Sequence, residues 1–137
     1  MKKDIENIED IKLLVNSFYD KVNQDQVLGP IFKDIAKIDW QKHLPIMYQF
    51  WSSVLLGEMG YKGNPMEAHF RLNEKQALKG TDFSRWKSLF EETIDELFAG
   101  ETASFAKQRA IAIADLMLYK IQNFRQSAGT NIGRVRR

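Results

Sequence analysis

The amino-acid sequence predicts an all-α protein, on three observations. Apolar residues recur at steps of three and four over long stretches, the spacing of one helical face. No stretch of useful length alternates as a half-buried strand would. Glycine and proline punctuate the chain where the helical stretches stop, at Leu28-Gly29-Pro30, Gly57 and Gly100. At 137 residues the expectation is a single domain with one substantial core.

The first helix is expected from Ile8 to Val22, with Ile8, Ile11, Leu14, Val15, Phe18 and Val22 on its buried face. Tyr19 lies on the shoulder of that face, where its hydroxyl reaches the edge of whatever the helix packs on. Leu28-Gly29-Pro30 then breaks the pattern, because proline cannot supply the next helical hydrogen bond. Ile31-Phe32 follows as an apolar plug of about one helical turn. Asp39 is a capping residue for the next run, in which Trp40, His43, Met47, Phe50, Trp51 and Val54 share helical spacing. Proline is tolerated in a first turn, so Pro45 sets the start of the regular helix near Leu44, with His43 at its lip and Gly57 as its stop.

Residues 58–63 read as a loop, and Pro65 opens a short helix carrying Met66, His69 and Phe70. Met66 and His69, three apart, share a face. Residues 73–80 show no firm period and read as a loop with room for one helical turn. Thr81 or Asp82 caps a strong helix of Phe83, Trp86, Leu89, Phe90, Ile94, Leu97 and Phe98, ended by Gly100. Thr102 caps the last helix, along Ala106, Ala110, Ile113, Ala114, Met117, Ile121 and Phe124. The period is lost after Phe124. The expected organisation is a domain over 1–127 and a flexible basic tail over 128–137.

Composition removes several classes of function. The chain has no cysteine, which excludes disulfides, thiolate nucleophiles, Cys-ligated zinc and iron–sulfur clusters. Without Arg134, Arg136 and Arg137 at its end, the body holds 17 basic against 18 acidic residues, so no basic face for nucleic acid is implied. Three charges on a terminal tail give little nucleic-acid affinity at physiological salt. No window approaches the ~18 apolar residues of a membrane span, and the N-terminus lacks the apolar run of a signal peptide. No membrane and no nucleic-acid partner is therefore expected, and a cytoplasmic location is.

Phosphate-cradling glycine loops, a His-Glu-x-x-His zinc helix and a nucleophile elbow are all missing. Glu91, Glu92, Asp95 and Glu96 lie opposite the apolar face of their helix and read as its solvated side. Periodicity alone favours a plain bundle core for the aromatic residues, with Trp86 packing on Tyr19. It chooses neither His43 nor His69 as a ligand.

A longer ordered set of residues gives a sharper reading. Phe18-Tyr19-Asp20-Lys21-Val22 is followed by Leu28-Gly29-Pro30-Ile31-Phe32, Trp40-Gln41-Lys42-His43-Leu44-Pro45, Phe50-Trp51 and Leu55-Leu56-Gly57. Tyr61-Lys62-Gly63-Asn64-Pro65 then precedes His69, and Arg85-Trp86-Lys87-Ser88-Leu89-Phe90 opens the penultimate helix. In this set the chain resembles a truncated haemoglobin of the third group over about residues 8 to 124. The paired glycines that mark the other two groups are missing, in agreement with the third.

The resemblance implies a 2-over-2 helical sandwich around haem b (iron protoporphyrin IX), within residues 1–127. It implies His69 as the proximal iron ligand, its imidazole neutral and fixed by a hydrogen bond from the other ring nitrogen. Phe32, His43, Met47, Met66, His69 and Trp86 would line the cofactor, with Met66 and Phe70 excluding water on the proximal side. Phe50 and Trp51 would fill in behind Phe32 and Met47. Tyr19, His43 and Trp86 match the distal polar positions that stabilise a bound diatomic. Two such hydrogen bonds, at about 1–2 kcal/mol each, would slow oxygen release roughly 10- to 1,000-fold. For His43 two further roles stay open: a gate that swings to solvent, or an iron ligand when no gas is bound.

The implied function is reversible binding of oxygen or another diatomic, nitric oxide or carbon monoxide, with tight retention rather than bulk carriage. Low-turnover nitric oxide dioxygenase or peroxidase-like chemistry would need electrons from an external reductase, because the chain has no flavin or nicotinamide motif. A monomer or weak oligomer is expected. The contrasting reading is a haem-free helical interaction or sensor domain built on the same aromatic core.

Overall fold

A computed structural model describes residues 2–59, 61, 63 and 65–130, except for the side chains of 65–67, 70 and 124–130. Within these residues the chain forms α1 (Ile8–Gln24), α2 (Leu28–Pro30), a π-helical turn (Ile31–Ile35), α3 (Trp40–Leu56), α4 (Pro65–Lys75), α5 (Gly80–Leu97) and α6 (Glu101–Thr130). No strand occurs among the described residues. α6 runs to Thr130, and the tail arginines Arg134, Arg136 and Arg137 lie outside the described residues.

The periodicity of α1 fixes its orientation. Ile11, Leu14, Val15, Phe18, Tyr19 and Val22 are all buried, and Asn7 caps the helix by accepting from the Asp10 N–H at 3.0 Å. α1 packs on α3 and on α5, and α5 packs on α6. The pair α1/α3 thus stacks on the pair α5/α6, a two-over-two arrangement. Phe18, Phe90, Ile94 and Ile121 are fully buried where the pairs meet. α4 rests on α6 and sits apart from this stack. Among the described residues no extended packing joins α3 to α4.

Four local expectations need correction. α3 begins at Trp40, not near Leu44, which puts His43 inside its first turn rather than at a lip. The Asp39 carboxylate accepts from the Gln41 N–H at 3.2 Å, and the Asp39 carbonyl accepts from the Lys42 and His43 N–H groups at 3.1 and 2.9 Å. Pro45 costs this helix only the bond to the Gln41 carbonyl, and both residues are exposed, so water can serve that oxygen.

The cap of α6 is Asp4 rather than Thr102. Its carboxylate accepts from the Thr102 and Ala103 N–H groups at 3.0 and 2.8 Å. Gly100, at φ 143°, makes room: a side chain there would strike the Asp4 carboxylate. α5 starts at Gly80, and Asp82 is its third residue, turning back to accept from the Lys79 N–H at 2.9 Å instead of capping the helix itself. Leu28-Gly29-Pro30 is a helical turn instead of a break. Asp25 accepts from the Val27 and Leu28 N–H groups at 3.0 Å each, and the chain winds straight on into the π turn. As expected, α3 stops at Gly57, whose φ of 71° suits glycine.

Candidate functional site

α3 is the most apolar of the long helices by sequence, yet only Trp51 and Ser52 on it are buried. Leu44, Met47, Tyr48, Phe50, Val54, Leu55 and Leu56 touch the core but stay half-buried. So apolar a helix, left half-covered among the described residues, has a face suited to a further apolar partner. α4, which has no extended packing on α3 among the described residues, is anchored through half-buried Leu72.

At the N-terminal end of α3 the rings converge. Tyr19 of α1 lies 5.5 Å from His43 at 77° and 5.1 Å from Trp40. Trp40 meets His43 at 5.5 Å and 79°. Phe32, from the π turn, stacks on Trp40 at 6.0 Å and 10°, and lies 6.0 Å from Tyr19. Such edge-to-face and stacked pairs are favourable beyond the area they bury. Local backbone makes the cluster: Ala36 N–H bonds to the Ile31 carbonyl and Ile38 N–H to the Phe32 carbonyl, which folds 36–39 back so that Phe32 faces Trp40.

His43 Nε2 is buried with no hydrogen-bond partner among the described residues. Burial pushes the His43 pKa down, and the charge of His69 pushes it the same way. α4 therefore brings its histidine within electrostatic reach of the one on α3. The His43 imidazole is held neutral, with an unmet polar atom turned inward. Burial also pushes the Tyr19 phenol far above its ordinary range, so its hydroxyl keeps its proton.

The remaining expected residues fall as follows. Met47 is half-buried on α3, one turn after His43. Trp86 is half-buried on α5, edge-on to Phe18 at 5.4 Å and stacked on Phe90 at 5.4 Å. Phe18 also touches Tyr19 at 4.9 Å, so Phe18 links Tyr19 and Trp86, which the sequence suggested would pack directly. Trp51 stacks on Phe90 at 4.9 Å and belongs to the α5 side of the core. Phe50 meets Trp51 and Tyr61 at 5.2 Å each. Met66 and Phe70 lie on α4 beside His69, with side chains outside the described residues.

Sequence reasoning left Trp40 out of the site. The signal was present: Trp40 follows a capping Asp39 and precedes His43 by three residues, which places both on one face. Among the described residues no group of three or more His, Asp or Glu side chains could hold a metal ion by itself. No described helix is long and apolar enough to cross a membrane.

Comparison with known proteins gives this geometry a family. No protein-family model matches the chain. It is 36% identical over 126 residues to a group 3 truncated haemoglobin, ctb, from Campylobacter jejuni, an alignment covering 88% of this chain and 97% of that protein. The crystal structure of the group III truncated haemoglobin from Campylobacter jejuni superposes with a TM-score of 0.77 at 34% identity, covering 88% of this chain and 95% of that one. The chain belongs to the group III truncated haemoglobin family, and its two-over-two stack is the truncated-globin fold.

Proposed function

We propose that this protein binds haem b in the gap between α3 and α4, with His69 as the axial ligand to iron, and reversibly holds oxygen or another diatomic on the opposite side. The observation that carries the reading is the buried Nε2 of His43, without a hydrogen-bond partner among the described residues, together with the charge of His69 on α4 acting on that imidazole. A buried polar atom without a partner costs about 1–3 kcal/mol, which a ligand accepting or donating there would recover.

The residues present fit the group. Haem presents a broad apolar face and needs one imidazole from the protein. The half-buried apolar side of α3 supplies the cover, and α4 supplies a half-buried histidine. When bound, haem supplies a ferrous iron able to take up oxygen, nitric oxide or carbon monoxide. His69 would offer a neutral imidazole lone pair. Phe32, Met47 and Trp86 would exclude water, with Met66 assigned the same part on the His69 side. In so dry a setting hydrogen bonds count for more than in water. Tyr19 Oη, protonated throughout the neutral range, is the donor toward a ligand that carries negative charge, and His43 Nε2 and the Trp86 indole N–H are assigned beside it.

This donor set favours retention over carriage. Nitric oxide dioxygenation or peroxide reduction at low turnover suits it better, with electrons from a separate reductase in the cytoplasm. Of the exposed large apolar residues, Leu13, Val27, Ile46 and Met59 are scattered over different segments, whereas Phe105, Leu116 and Tyr119 all lie on α6; a monomer or a weak oligomer is the assembly proposed.

The test is the absorption spectrum of protein purified with haem supplied, reduced and then exposed to carbon monoxide. The expected result is a Soret band that moves on adding carbon monoxide and is lost in His69→Ala. A stably folded but colourless protein would overturn the reading and favour a haem-free interaction domain.

A further inference from the structure

We infer that Trp40 is a positioning residue that pins the His43 imidazole inward over the ligand side, so that the pocket rests closed. The inference builds on the haem reading and adds a residue to it.

Three observations carry it. His43 is held edge-on by two rings, Tyr19 and Trp40, each 5.5 Å away and at nearly the same angle, 77° and 79°. Tyr19 is buried in the core on α1, whereas Trp40 is half-buried as the first residue of α3. An imidazole swinging toward the start of α3 would have to displace the Trp40 indole against which it rests. That indole is itself backed by Phe32, stacked nearly parallel at 10°. The backing is built into the chain: the turn between Phe32 and Trp40 is closed by the Ile38 N–H on the Phe32 carbonyl and by the Asp39 cap. It also holds Lys37 at φ 52°, a left-handed conformation that a lysine rarely adopts. The geometry is that of a lock, with Trp40 as bolt and Phe32 as backplate. Tyr19 is the residue assigned to bond a ligand directly; Trp40 also touches its ring at 5.1 Å, and the pinning assigned to Trp40 acts through His43.

The experiment is a set of double-mutant cycles on the haem-loaded protein, reading the oxygen dissociation rate. Trp40→Ala is expected to raise that rate about tenfold, the loss of one hydrogen bond's worth of retention. Trp40→Phe, which keeps a ring edge against the imidazole, is expected to restore most of the slow release. The acceleration should persist in a Tyr19→Phe background and vanish in His43→Ala, because coupled residues are non-additive. An acceleration that survives in His43→Ala, or that vanishes in Tyr19→Phe, overturns the assignment, as does an unchanged rate in Trp40→Ala.

A second readout does not need haem. In the protein as purified, flanking ring currents displace the proton resonances of the His43 imidazole. In Trp40→Ala those resonances should move toward ordinary histidine positions. Colourless protein showing that movement would sink the haem reading and leave the pin standing; haem-loaded protein without it would do the reverse. Trp40→Leu, which keeps apolar bulk without a ring, serves the same comparison if the alanine variant does not fold.

Discussion

Tyr19 and His43 touch, yet burial moves their proton equilibria in opposite directions. The Tyr19 pKa is raised by burial, so its folded form resists ionising while the unfolded chain ionises near pH 10. Its contribution to stability is complete below about pH 10 and is lost above it. The His43 pKa is lowered, first by burial and then by the His69 charge. The unfolded chain takes up that proton near pH 6.5, so the His43 contribution is complete above about pH 6.5 and falls away below it. Denaturation midpoints of the haem-free protein should therefore decline on both sides of neutrality, and Tyr19→Phe should flatten the alkaline decline alone. Ser52 makes a simpler case. Its hydroxyl is buried on α3 without a partner among the described residues. Ser52→Ala removes that oxygen and little else, and should raise stability by about 1 kcal/mol in urea unfolding. An unchanged or lower midpoint would mean that the oxygen is satisfied.

At the scale of elements, the helix ends depend on side chains brought in from other parts of the chain. Asp4 caps α6 across 98 residues of sequence. Burial pushes its carboxyl up, but the Thr102, Ala103 and Ile5 N–H groups outweigh it and hold the pKa below the ordinary value. Asp4→Ala should cost about 1–2 kcal/mol and lower the thermal midpoint, whereas Asp4→Asn should keep most of the cap. Asp25 does the same work between α1 and α2. Burial raises its pKa, but the Leu28 N–H, Arg85 and the Val27 N–H together leave it lowered. Both carboxylates stabilise above their unfolded pKa near 4 and lose that contribution in acid. Lys37, in its left-handed conformation, is the opposite case: Lys37→Gly should relieve about 0.5–1 kcal/mol of backbone strain. If that variant also releases oxygen faster, the turn holds Trp40 only while it is stiff.

For the whole molecule, the consequence lies in which packing is complete. α1, α5 and α6 close a core with Phe18, Phe90, Ile94 and Ile121 fully buried, while α3 keeps a half-covered apolar side and α4, among the described residues, rests mainly on α6. A ligand that binds only the folded state adds stability by mass action, about 4 kcal/mol at a thousandfold excess over its dissociation constant. Haem should therefore raise the thermal midpoint. Hydrogen-exchange protection should rise mainly in α3 and α4 and little in α1, α5 and α6. Protection gained evenly over all helices would mean that haem organises the entire fold instead of filling a gap.

The sequence by itself determined the helices and the family. The faces of α1 and α5 follow from periodicity, and Gly57 as the stop of α3 follows from its own backbone freedom. The ordered set from Phe18 to Phe90 identified the relatives. These properties are local or are carried by residue order, so one dimension suffices for them. The start of α3 differs from the one that Pro45 suggests because the rule for proline weighs one lost bond, while the Asp39 cap and the solvent exposure of Gln41 decide whether that loss matters. The caps from Asp4 and the link through Phe18 joined residues far apart in sequence, or chose one neighbour among several candidates, and no local pattern encodes either. Only the tertiary structure set Trp40 against His43, because that contact depends on how a π turn, a capped helix start and the flank of α1 meet in space.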